Sequence, residues 1–288
     1  MNFEDKDYIV VTGPTASGKS SLAHRLALKH NGEIINCDSV QMYRMLDIGS
    51  AKVSKAEQAE VNYHLLDMLN PDETYDANRF RIDCLEKIGD IKKKGRLPIV
   101  VGGTGLYLRA LWQDRFERLP TDATLRNQLE QLTSETLRKT LLDLNPERAA
   151  EIHPNDRYRH IRAVEIATLI KDGIEIESNK DVGPDYTCFK IYLNVPRKIL
   201  HERIAQRAKI MLNEGLIAET ELILDKYSND LRILQSIGYK QVVEFLNAKI
   251  AKSDLEEKII VATRQYAKRQ ETWFRKVAFD EVIEPLVS

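Results

Sequence analysis

The residues best suited to chemistry are Gly13, Pro14, Thr15, Ala16, Ser17, Gly18, Lys19 and Ser20, which form the pattern G-x-x-x-x-G-K-[ST]. The apolar run Tyr8-Ile9-Val10-Val11 precedes them, and a helix-like segment from Ser21 to Leu28 follows. Strand, glycine loop and helix in that order are the context such a phosphate loop requires. Its glycines let backbone N–H groups point at an anion, and the following helix adds the positive end of its dipole. Lys19 reaches the outer phosphates, and the Ser20 hydroxyl is placed to hold Mg²⁺. A di- or triphosphate therefore binds here, and the loop alone leaves its fate open.

Two further stretches carry reactive groups. The short strand Glu33–Cys37 runs into Asp38-Ser39-Val40-Gln41-Met42-Tyr43, and the apolar run Leu97–Val101 runs into Gly102-Gly103-Thr104-Gly105-Leu106-Tyr107. In open parallel α/β sheets the carboxyl ends of strands line the ligand crevice, so Asp38 and Thr104 are expected to face the phosphate loop. Asp38 also suits a helix N-cap. A motor-type NTPase usually ends its second crevice strand in Asp, to organise Mg²⁺ and water. Glycines and a threonine at that point suggest chemistry other than γ-phosphate hydrolysis.

Stepping outward, the elements that hold these groups read as an α/β core with a parallel, P-loop NTPase-like sheet flanked by helices. Residues 1–117 and 187–288 make up this core, and residues 118–186 read as an all-helical insertion. Within the insertion, helices are expected over 124–132, 135–144, 146–152 and 156–171. A strand over 187–195 returns to the core, and everything after it reads as helix, over 197–214, 216–227, 239–247 and 254–276.

The chain has 288 residues, 43% hydrophobic and 30% charged, with a formal net charge of -1. That balance describes a soluble globular protein without a global basic field, so any nucleic-acid surface is local. The 3 cysteines are far apart and lack metal-ligand spacing. They read as buried thiols of a reducing compartment. The acidic N-terminus predicts no signal peptide, and no apolar run is long enough for a membrane span. The expected location is the cytoplasm. Basic residues gather at Arg157–Arg162 and on one stripe of the last helix, at Arg264, Lys268 and Arg275. Either group suits phosphate-backbone contact, or is simply a solvated helix face.

Several motifs taken together resemble one family. They are Asp38-Ser39-x-Gln41-x-Tyr43, Leu46–Lys52, Gly102–Tyr107, Asn155-Asp156 with Arg159 and Arg162, and Arg264-Gln265 with Lys268–Gln270 and Thr272–Arg275. In this order they resemble the tRNA dimethylallyltransferases, or isopentenyl-tRNA transferases, which modify the adenosine 3′ of the anticodon. Ser50, Val53 and Asn62 stand where the family usually has Thr, Pro and Pro.

The resemblance implies that dimethylallyl diphosphate, not ATP, occupies the phosphate loop, and that diphosphate is a leaving group stabilised by Lys19 and Mg²⁺. It implies Asp38 as base, Thr104 near the bridging oxygen, and Arg207, with Arg203 as the substitute, on the diphosphate. It implies tRNA contacts at Asp38, Ser39, Val40, Gln41, Thr104, Arg126, Tyr158, Arg159, His160, Ile161, Arg162, Arg264, Gln265, Lys268 and Arg269. The expected partner is the anticodon stem-loop, gripped with the insertion as a clamp, and the enzyme is expected to be a monomer. The alternative is a small-molecule enzyme, an adenylate isopentenyltransferase or a nucleoside kinase, which shares the phosphate loop but needs neither insertion nor basic stripe.

Overall fold

The computed structural model describes residues 3, 5–113, 117–175, 177–178, 185–227 and 231–284. Strands β1 (Tyr8–Thr12), β2 (Gly32–Asn36), β3 (Tyr63–His64), β4 (Leu97–Val101), β7 (Cys188–Leu193) and β8 (Glu281–Ile283) form a six-stranded sheet in the order β3-β2-β4-β1-β7-β8. Every neighbouring pair is parallel. β1 and β4 read as unbroken apolar runs because both faces of the sheet are covered, and Ile9, Val10, Val11, Ile99 and Val100 have no exposed surface.

The order puts β1 between β4 and β7, so the chain leaves β1 toward one edge and later returns to build the other. Ligands bind at such a reversal, outside the carboxyl ends of the strands. Helix α1 (Lys19–Lys29) starts directly at the phosphate loop. Gly18 sits at φ 90°, a left-handed conformation that only glycine adopts without strain. Helices α2 (Lys55–Glu60), α3 (Ala77–Lys93) and α4 (Gly105–Trp112) belong to the first half of the core, with α3 packed on β2 and β4, and α9 (Arg197–Glu214), α10 (Leu216–Lys226), α11 (Tyr239–Leu246) and α12 (Lys252–Phe274) belong to the second.

The chain divides into two compact units, Met1–Trp112 with Gly183–Ser288, and Gln113–Val182. The second unit holds α5 (Ala123–Gln131), α6 (Ser134–Leu144), α7 (Pro146–Glu151) and α8 (Arg157–Lys171) around Leu129, Leu137, Leu141, Ile152 and Val164. Capping side chains set its helix starts: Asp122, Thr133, Asn145 and Asp156 each accept a backbone N–H of the first turn.

Two expectations from sequence are corrected. The insertion is not all helix, because β5 (Glu117–Arg118) and β6 (Glu177–Ser178) pair antiparallel. The last stretch is not all helix either, because β8 adds a parallel edge strand beside β7. Two- and three-residue strands carry too little alternation to be read from a sequence.

Candidate functional site

The first unit's site is assembled from three adjacent strand ends. After β1 the phosphate loop closes, with Lys19 Nζ donating to the Pro14 carbonyl at 3.3 Å. After β4 the chain turns through Gly102 and Gly103, and Thr12 Oγ1 donates to the Gly102 carbonyl at 2.7 Å, tying the two strand ends together. A Cβ on Gly102 would run into the Cys37 carbonyl, so the close approach of the β2 and β4 ends requires glycine there. Beyond β2, Asn36 fixes the turn: its Oδ1 accepts from Asp38 N–H at 3.1 Å, and its Nδ2 donates to the carbonyls of Asp38 and Leu65.

Asp38 and Thr104 come together as the strand-end argument requires. Thr104 Oγ1 accepts from Ser39 N–H at 3.2 Å, so the hydroxyl and the carboxylate belong to neighbouring residues in space. Asp38 Oδ1 accepts from Val40 N–H at 2.9 Å and Gln41 N–H at 3.4 Å. No helix follows, which corrects the N-cap expectation: Asp38 caps a turn, and its second oxygen has no such duty. Burial, reinforced by the Asp38 charge, pushes the Tyr266 hydroxyl above the usual phenol range.

The electrostatics of the loop favour an anion. Burial pulls the Lys19 ammonium down to about 8, against the Asp38 carboxylate and with Arg207 adding to the shift. A cation depressed in this way gains from a bound anion. Ser17 Oγ is buried in the same loop without a hydrogen-bond partner, an orphan hydroxyl that a ligand oxygen would satisfy. The two candidate arginines differ in position. Arg203, more exposed, donates to the loop carbonyls of Ala16 and Ser17 at 3.4 and 3.3 Å. Arg207 donates to the Ser50 carbonyl at 3.2 Å, and burial holds it below the usual guanidinium range despite Asp38.

The loop that carries Ser50 is itself latched. Glu219 on α10 accepts from the N–H groups of Asp47, Ile48 and Gly49 and from the Tyr239 hydroxyl. Lys52, with its side chain almost fully buried, reaches the Tyr43 carbonyl, Asp47 and Asp67. Gln41 Nε2 donates to the carbonyls of Ser50 and Ala51. Ser50 itself bonds the Leu46 carbonyl through its hydroxyl, a bond that threonine makes equally well.

On α12, Gln265, Lys268 and Arg269 are exposed. Arg269 lies over the Tyr266 ring at 5.7 Å. Arg264 is half-buried, and its Nε has no partner.

In the second unit the expected tRNA residues split. Tyr158 and Arg159 point outward. His160 and Ile161 are buried, which fits them to that unit's core and not to a surface. Arg126 and Arg162 both bind the fully buried Glu165, at 2.6 and 2.7 Å, and Arg162 also donates to the carbonyls of Leu119 and Pro120. Burial pushes Glu165 up, but hydrogen bonds from Arg126, Arg162 and the Asp122 N–H prevail and hold it below the usual carboxylate range. Both side chains are tied to the buried Glu165, so Arg126 and Arg162 serve the framework of the unit, and the trio keeps one net positive charge.

Sequence reasoning passed over Asn36, Glu219, Tyr266 and Gln270 as site residues. For Gln270 a signal existed: an amide on the inward stripe that also carries Ala267 and Phe274.

Comparison with known proteins finds relatives over most of the chain. Residues 41–277 match the family model described as IPP transferase. The chain is 43% identical over 271 residues to tRNA dimethylallyltransferase 1 of Citrifermentans bemidjiense, covering 93% of this chain and 89% of the relative. The corresponding protein of Thermotoga neapolitana is 40% identical over 93% of this chain and 88% of its own. A crystal structure of tRNA isopentenylpyrophosphate transferase from Bacillus halodurans superposes with a TM-score of 0.71 at 35% identity, covering 97% of this chain and 90% of that one. A eukaryotic dimethylallyltransferase acting on tRNA superposes with a TM-score of 0.73 at 30% identity, covering 93% and 69%.

Proposed function

The chain belongs to the IPP transferase family, and from that premise we propose that it transfers the dimethylallyl group of dimethylallyl diphosphate to the exocyclic amine of the adenosine 3′ of the anticodon in tRNA. The observation that carries the reading is the juxtaposition of Asp38 and Thr104 through the Ser39–Thr104 hydrogen bond, beside a phosphate loop whose lysine lacks a full counter-ion.

In the reaction the C–O bond between prenyl group and diphosphate breaks, and its electron pair leaves with the diphosphate. The amine nitrogen forms the new C–N bond and loses a proton to the free oxygen of Asp38. The amine is a poor nucleophile until that bond forms, so an ordinary carboxylate suffices for late proton removal. Loop amides, Lys19 and Arg203 surround the charge that develops on the leaving group, where preorganised donors act most strongly. Arg207 adds to the field from the Ser50 side. Thr104 donates its hydroxyl proton toward the bridging oxygen, which can only accept, while one of its own lone pairs receives the Ser39 N–H. The target base leaves its stack to reach the amine's position, at little cost in a single-stranded anticodon loop.

Mg²⁺ fits the site in one way. Among the described residues no group of three His, Cys, Asp or Glu side chains comes together to hold a metal alone. The Ser20 hydroxyl at the start of α1 is exposed, and Mg²⁺ prefers few protein ligands together with substrate phosphates and water. Bound there with the substrate, it would neutralise diphosphate charge.

The tRNA backbone is held by the outward cations Arg159 in the second unit and Lys268 and Arg269 in the first, with the half-buried Arg264 beside them. Asp38, Ser39, Val40, Gln41 and Thr104 line the target base. The enzyme acts as a monomer in the cytoplasm. No described helix is long and apolar enough to cross a membrane.

The test is nucleoside mass spectrometry of tRNA incubated with the protein, dimethylallyl diphosphate and Mg²⁺. Dimethylallyl-adenosine in the anticodon loop is expected, and AMP offered as acceptor should give no product. Prenylated AMP with unmodified tRNA would return the small-molecule reading.

A further inference from the structure

Gln270 lies on the inner face of α12, buried, with both ends of its amide engaged. Its Oε1 accepts from the N–H of Thr15 in the phosphate loop at 2.8 Å. Its Nε2 donates to the carbonyl of Gly103, the residue before Thr104, at 2.9 Å. One side chain thus spans the two strand ends that hold the leaving group and the bridging-oxygen donor. We propose that Gln270 is a positioning residue for prenyl transfer, setting the distance between the phosphate loop and Thr104 and holding both against α12.

Three observations make the bridge more than an incidental contact. The first is chemical uniqueness. An N–H needs an acceptor and a carbonyl needs a donor, and only a primary amide of this length offers both in one plane. Glutamate loses the donor, and leucine loses both. The second is steric. A Cβ on Gly103 would collide with the Gln270 amide, so the glycine of this turn admits the bridge. The third is covalent context. Three residues after Gln270 on the same helix, the Trp273 ring packs against Gly105, the residue after Thr104, so closely that a Cβ there would meet it. The α12 segment therefore fixes the Thr104 turn on both sides of Thr104, at the Gly103 carbonyl and at Gly105.

The N–H of Thr15 is spent on Gln270, so the bridge fixes the path of the phosphate loop's backbone before diphosphate arrives. Preorganised donors stabilise a transition state because no reorganisation is needed as charge develops. A small misplacement of such groups costs rate out of proportion to its size. The consequence of losing the bridge falls on the leaving-group end, while RNA docking through the outer face of α12 is untouched.

The inference rests on the prenyl-transfer reading, and two readouts keep the failures apart. Gln270→Leu removes both hydrogen bonds at similar volume. It is expected to lower kcat at least ten-fold with the tRNA KM within two-fold, and to weaken binding of Mg²⁺-diphosphate to the enzyme by calorimetry. Gln270→Glu keeps the acceptor for Thr15 N–H, and regains the donor to Gly103 only when protonated. Its rate relative to wild type, a ratio in which the titrations common to both proteins cancel, should rise as pH falls from about 8 to about 5.5, the range a buried carboxyl occupies. Packing alone would not produce that recovery. An unchanged kcat and diphosphate affinity in Gln270→Leu would overturn the proposal, and so would a Gln270→Glu ratio flat with pH. If wild type prenylates nothing yet Gln270→Leu weakens diphosphate binding, the bridge stands and the prenyl-transfer reading falls.

Discussion

At the residue scale, the roles of Asp38 and Thr104 separate by what each already does in the folded protein. Asp38 uses one oxygen to cap its turn at Val40, and the proposed role as base falls to the other. Asn retains a capping oxygen, so Asp38→Asn should fold normally and bind both substrates while kcat falls by about 10²–10⁴, the usual worth of general base catalysis. Single-turnover kinetics with saturating tRNA check this, and near-normal turnover would leave Asp38 only its turn. Thr104 is different, because its hydroxyl also satisfies Ser39 N–H. Thr104→Val strands that N–H, at a cost of about 1–3 kcal/mol, on top of any lost catalysis. Thr104→Ser keeps the hydroxyl and should retain both stability and most of the rate. A serine variant as damaged as valine would mean the methyl group, not the oxygen, matters.

At the scale of elements, two latches decide which substitutions read as function and which as framework. Glu219 binds three successive N–H groups of the 47–49 segment, and with them the Ser50 carbonyl that orients Arg207 and Gln41. Glu219→Gln turns one acceptor oxygen into a donor facing N–H groups. Thermal stability should fall by about 1–3 kcal/mol, and the KM for dimethylallyl diphosphate should rise as Arg207 loses its anchor. A stable variant with a normal KM would refute the latch. In the second unit, Arg162 and Arg159 are three residues apart yet belong to different classes. Arg162→Ala leaves the buried Glu165 short of a partner, and breaking such a pair costs about 3–5 kcal/mol. Its effect should appear in unfolding. Arg159→Ala should leave unfolding unchanged and reduce the log–log salt slope of tRNA binding by roughly 0.7–0.9, as one lost phosphate contact does. An unchanged slope would return Arg159 to an ordinary solvated helix face.

At the scale of the whole molecule, the end of the sheet away from the crevice carries a buried charge that ties stability to pH. Glu33 opens β2 with no exposed surface and meets His64, Arg96, Lys94 and Asn62. Burial raises its pKa, but hydrogen bonds from His64, Asn62 and Arg96 outweigh it and hold the carboxyl down to about 2. Its unfolded value is about 4.3. The folded value is the lower one, so the stabilisation is complete above about pH 4.3 and drains away as pH falls toward about 2. Thermal melts from pH 7 to pH 2.5 should show a steep loss below pH 4.3 that Glu33→Gln flattens. A variant with the wild-type pH profile would assign the loss to other carboxylates.

The sequence by itself determined the chemistry-bearing inventory. The phosphate loop is legible because an anion site of backbone amides needs glycines, a lysine and a hydroxyl at fixed spacing, and spacing is what a sequence records. Asp38 and Thr104 were legible for a related reason: strand ends in a parallel sheet share one edge. The long helices followed from apolar periodicity. What the tertiary structure alone decided is which polar groups are spent on one another. Nothing in the run Arg157–Arg162 says that Arg162 turns inward to Glu165 while Arg159 stays outside, because that depends on a carboxylate brought in by folding. Nor does spacing link Thr15 to a glutamine 255 positions away. Hydrogen bonds between distant segments carry no local pattern, and in this protein they set the geometry in which the legible residues work.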